Sequence, residues 1–73
     1  MVEVFKTNVN NRHQANLLIA EIHQHFNTYR VNFDLEDCDH ILRVACDNGG
    51  QIEAALVISV LRRYGFTAEI LPG

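Results

Sequence analysis

Apolar and polar positions alternate along the opening residues, so 2–7 read as a strand with Val2 and Val4 on one side and Phe5 on the other. Asn10 and Asn11 follow, and Asn11 with Gln14 three places on matches the relaxed capping pattern that opens a helix. Ala15, Leu18, Ile19, Ile22 and Phe26 then recur at helical spacing, which predicts a helix over 12–26 with one apolar stripe. Asn27-Thr28 ends it.

Residues 29–35 and 40–46 alternate again on either side of a polar turn. A short turn sets Leu35 against His40, Phe33 against Leu42 and Val31 against Val44, so both strands turn their apolar residues to the same face. After Asp47-Asn48-Gly49-Gly50, Asn48 and Gln51 offer caps for a second helix, whose core stripe reads Ala54, Val57, Ile58, Leu61 and Tyr64. Gly65 reads as the left-handed residue that stops it, with Phe66 folding back, and 66–71 supply a last strand before Pro72. The order is βαββαβ. Two right-handed crossovers place both helices on one side of a four-stranded antiparallel sheet, with the first and third strands central. The expectation is one α+β domain over 1–73, a ferredoxin-like sandwich open on one face.

Composition narrows what such a domain does. A chain of 73 residues hides only about 60% of its unfolded surface, so most aliphatics must enter one core layer. Apolar content of 48% with a net charge of −3 excludes disorder, and no apolar run approaches the roughly 18 residues of a membrane span. The opening Met1-Val2-Glu3-Val4 lacks a basic segment followed by an apolar one, which leads to the expectation of a cytoplasmic protein with no membrane partner. The nine acids outnumber the six lysines and arginines, and no basic cluster exceeds Arg62-Arg63, which argues against nucleic acid.

Three segments together carry a family resemblance. They are Val4-Phe5-Lys6-Thr7 closing a strand, Val31-Asn32-Phe33-Asp34-Leu35 ahead of a hairpin, and Leu61-Arg62-Arg63-Tyr64-Gly65-Phe66 before the last strand. Over about 2–70 the chain resembles the heavy-metal-associated domains of copper chaperones and metal-pumping ATPases. In that family the loop before the first helix carries Met-x-Cys-x-x-Cys, whose thiolates hold a soft ion. The matching loop here is Thr7-Asn8-Val9-Asn10-Asn11-Arg12, with Val9 and Arg12 at the cysteine positions. Neither side chain ligates a metal, and Arg12 adds positive charge to the positive end of the helix. The resemblance thus implies the scaffold without its metal site and without a cofactor. A capped, solvated loop is the ordinary alternative to an anion held by Arg12 and the free helical amides.

Asp34, Glu36, Asp37 and Asp39 crowd the hairpin with Cys38 and His40. The strand alternation sends Asp34 to the open face and Leu35 and His40 to the helices, so the donors should diverge, and a solvated acidic turn is expected. A metal held by Asp37, Cys38, Asp39 and His40 is the alternative, although structural zinc wants four ligands. Cys46 ends an apolar alternation and reads as core; extended chain keeps it more than about 20 Å from Cys38, too far for a disulfide. His23 and His25 point about 200° apart on the first helix and cannot share an ion. Thr7, Thr28, Ser59 and Thr67 have no arranged histidine and carboxylate, so no enzyme is expected.

The second helix carries more apolar surface than its stripe needs. Ile52, Leu56 and Val60 fall more than about 100° of arc from the stripe, with Arg63 in the same line. The open sheet face offers Phe5, Ile41 and Leu71 among polar residues. Ile52, Leu56, Val60, Arg63, Phe5 and Ile41 therefore form the expected contact surface for a protein partner or a weak homodimer.

Overall fold

The computed structural model describes residues 1–47 and 49–72. Its elements run β1 (Val2–Thr7), α1 (Arg12–His25), β2 (Tyr29–Asp34), β3 (Ile41–Cys46), α2 (Ala54–Arg63) and β4 (Ala68–Ile70). The four strands form one antiparallel sheet in the order β2-β3-β1-β4, so the fold is α+β with β1 and β3 central. Both helices pack on the face that carries Phe5, Phe33, Leu42 and Val44.

The anticipated hairpin register holds, with Phe33 opposite Leu42 and Val31 opposite Val44. The face assigned to β1 does not. Phe5 stands opposite Leu42, on the helix side, and is 0% exposed. Val2 and Val4 lie on the outer face instead, Val2 exposed and Val4 half-buried. The register against β3 sets Phe5 beside Leu42 on the core face of the hairpin, and Val4 beside Arg43 on the other.

Local chemistry explains the helix ends. The Asn11 side chain accepts the Gln14 amide at 3.2 Å, so α1 opens at the expected cap. Gly65 has φ 86°, the Phe66 amide donates to the Leu61 carbonyl and the Gly65 amide to the Arg62 carbonyl, each at 3.0 Å. These paired bonds satisfy the last carbonyls of α2, as a left-handed glycine stop requires. The start of α2 differs from expectation. Its cap is Glu53, which makes no side-chain bond, and Asn48 lies outside the described residues. The last strand is also shorter than the expected 66–71, since β4 spans only Ala68–Ile70.

Two further expectations about α2 are corrected. Val60 is 4% exposed, because the helix must cover the sheet and lie against α1 together, which turns its inward arc toward Val57, Val60 and Leu61. Ile52 precedes the helix, so helical spacing does not apply to it, and it folds into the core.

Candidate functional site

The loop joining β1 to α1 is committed to structure. Val9 is fully buried in the core, and its amide donates to Thr7 Oγ1 at 3.2 Å. That hydroxyl in turn donates to the His40 carbonyl at 2.6 Å, while the Thr7 amide bonds the Asp39 carbonyl at 3.1 Å. Arg12 reaches away from the loop, its Nη2 donating to the Phe33 carbonyl at 3.3 Å. Val9 is thus a core wedge and Arg12 a clamp on β2.

The hairpin brings together more than its alternation suggested. One donor atom each from Asp37, Cys38 and Asp39 lie within 4.8 Å of one another, because the turn coils rather than continuing as strand. The Asp37 carboxylate is already engaged, accepting the Asp39 amide at 2.8 Å, and Asp39 lies 3.8 Å from Lys6. His40 is not in this group. Its backbone is left-handed at φ 47°, and its Nδ1 is buried with no hydrogen-bond partner among the described residues. Cys38 is exposed and Cys46 buried, and neither forms a disulfide.

Of the expected contact surface, Leu56 and Arg63 remain exposed, whereas Phe5, Ile52 and Val60 are core. Ile41 stands on the outer face opposite Asp34 and is nevertheless buried, so it offers little to a partner. Leu56 and Arg63 border a groove of about 80 Å³ between the helices, completed by His25, Phe26, Ser59 and Val60. Leu17 is also exposed on α1, outside the apolar stripe of Ala15, Leu18 and Ile22. Ser59 donates its hydroxyl to the Leu56 carbonyl at 2.8 Å, an ordinary helical bond.

A larger polar cleft of about 360 Å³ lies where the end of β1 meets α2 and β4, lined by Lys6, Asn8, Arg62, Thr67 and Glu69 among others. The Thr67 amide donates to Asn8 Oδ1 at 2.8 Å across it, and Lys6 stands opposite Glu69 in the sheet. Its charges are mixed in sign. At the helix interface, desolvation raises the Tyr64 pKa above its ordinary 10.0; the Glu21 carboxylate, by hydrogen bond and by charge, adds to this, and Arg63 opposes it.

No helix of the described residues is long and apolar enough to cross a membrane. The chain matches no family model, no curated protein and no solved structure among known proteins.

Proposed function

We propose that the chain is a non-catalytic binding module of the cytoplasm on a ferredoxin-like scaffold, akin to a heavy-metal-associated domain that has given up its cysteine pair. The β2-β3-β1-β4 order, with one helix after each central strand, supports that scaffold. The structural use of Val9 and Arg12 supports a loop without metal. The module acts by holding a protein partner on its helix layer.

The observation that carries this reading is Leu56, 51% exposed on the rim of the interhelical groove. Arg63 and His25 flank the same groove, in a chain whose net charge is negative. The fitting partner is a protein segment that places an apolar side chain beside a carboxylate. Leu56 is already half buried, so covering the rest contributes about 1 kcal/mol, and the contact is transient even with the charged rim engaged. A photoactivatable phenylalanine analogue at position 56 should give one discrete covalent adduct in cells, lost on Arg63→Glu. The same analogue at exposed Glu69 should not give it; equal adducts from both positions would refute the surface.

A second reading is a cation at the hairpin, favoured by the convergence of Asp37, Cys38 and Asp39. Zinc, copper or calcium added to reduced protein would then shift the amides of residues 37–40 saturably, and Cys38→Ser would abolish the shift. Unmoved amides would remove this reading.

A further inference from the structure

We propose that the outer edge of β2 is a strand-addition surface for a second copy of this chain, held shut by Arg12 and His23 of α1. The edge is identified by hydrogen bonding. The Cys46 amide and carbonyl both bond Met1, toward β1, so its register partner Tyr29 turns its own amide and carbonyl away from the sheet. Residues of one strand alternate in this respect, and Val31 and Phe33 therefore face outward with Tyr29.

Two of those outward carbonyls are taken by side chains of one helix. His23 Nε2 lies 3.0 Å from the Tyr29 carbonyl, and Arg12 Nη2 lies 3.3 Å from that of Phe33. Arg12 and His23 are about three helical turns apart, within about 20° of the same direction and about 16 Å along the axis. Tyr29 and Phe33 are about 13 Å apart along the strand. Helix and strand run oppositely, so the first residue of α1 meets the end of β2 and its last turn meets the start. The match in spacing makes the pair a clamp along the edge, with Val31 between its two points.

The excluded occupant is a copy of the same strand. β2 is six residues long, has no proline, and carries Arg30 and Asp34 on its outer face. Antiparallel pairing centred on Asn32 sets Arg30 of each copy opposite Asp34 of the other and brings Val31 against Phe33 in the hydrogen-bonded positions. Arg30 is free to exchange partners, since its pair with Asp47, 2.9 Å apart, is largely exposed. An unguarded edge of this length is a template for association.

The test compares the wild-type chain with Arg12→Ala/His23→Ala by size-exclusion chromatography with light scattering. The wild type should elute as a monomer and the double variant should double in mass with rising concentration. Arg12→Lys/His23→Gln, which keeps both donors, should stay monomeric. Asn32→Cys, in a Cys38→Ser background, should cross-link the double variant across the two-fold and leave the guarded chain unlinked. A double variant with a native circular dichroism spectrum that stays monomeric, or that dimerises without the cross-link, overturns the proposal. Should the double variant lose that spectrum, the single Arg12→Ala change at an exposed side chain carries the same comparison with the same two outcomes.

Discussion

The Tyr29 hydroxyl accepts the Glu53 amide at 2.8 Å and donates to the Gln51 carbonyl at 3.0 Å, so a residue of β2 fastens the start of α2. Glu53 caps that helix without a side-chain bond, and the phenol supplies what the cap does not. The ring itself is buried and stacks on Phe26, centroids 4.6 Å apart. Tyr29→Phe keeps the stack and strands two backbone groups, at a cost of about 1–3 kcal/mol. Thermal unfolding should therefore fall by several degrees, at about 4–8 °C for each kcal/mol in a domain of this size. An unchanged midpoint would show that the helix start is held by other means.

Leu56 and Val60 lie one turn apart on α2 with opposite fates, the first half in water and the second buried. Leu56→Glu should change stability by no more than about 0.5 kcal/mol in urea unfolding. Val60→Glu forces a carboxylate into the core and should leave little folded protein at room temperature. Equal tolerance of the two changes would mean that the helix is rotated from the orientation described.

The Glu21 carboxylate and desolvation both favour the neutral Tyr64 phenol. A folded pKa above the unfolded value means that this group's contribution is complete below pH 10 and fades as the pH climbs through the folded value. Carbon-13 NMR of the Tyr64 ring should place its midpoint above 10, and Glu21→Gln should bring it down without restoring it fully, since desolvation remains. A midpoint insensitive to Glu21 would separate the two side chains.

His40 holds a left-handed backbone with its Nδ1 buried and unpartnered, while its carbonyl serves Thr7. His40→Gly removes the steric penalty of about 1–2 kcal/mol and the stranded nitrogen, against a gain in unfolded-chain entropy that costs about 0.5–1 kcal/mol. The variant should be at least as stable as the wild type in urea unfolding, and His40→Val markedly less stable. A clear loss with glycine would show that the imidazole contributes a contact the turn needs.

Much of the layout is legible in residue spacing, and the failures share a cause. Asn11 and Gln14, Gly65 and Phe66, and the Phe33–Leu42 register are local signals with near-unique geometric solutions, and each stands as expected. Phe5, Ile52 and Val60 were expected on the surface because alternation and helical arc locate faces only relative to one another. Which face turns inward is settled by packing against a distant element, such as α1 beside Val60 or β3 beside Phe5. The convergence of Asp37, Cys38 and Asp39 depends on how the turn coils, and the service of His23 to the β2 carbonyl on how α1 crosses the edge. Neither is written in spacing along one element.

The account rests on the β1–α1 loop being a structural joint, with Val9 in the core and Arg12 on the Phe33 carbonyl. The most direct measurement is a titration of reduced, nitrogen-15-labelled protein with Cu(I) and Zn(II), followed through the amides of residues 8–12. Those signals should stay in place through one equivalent of either metal. Tight, stoichiometric shifts confined to that loop would contradict the account.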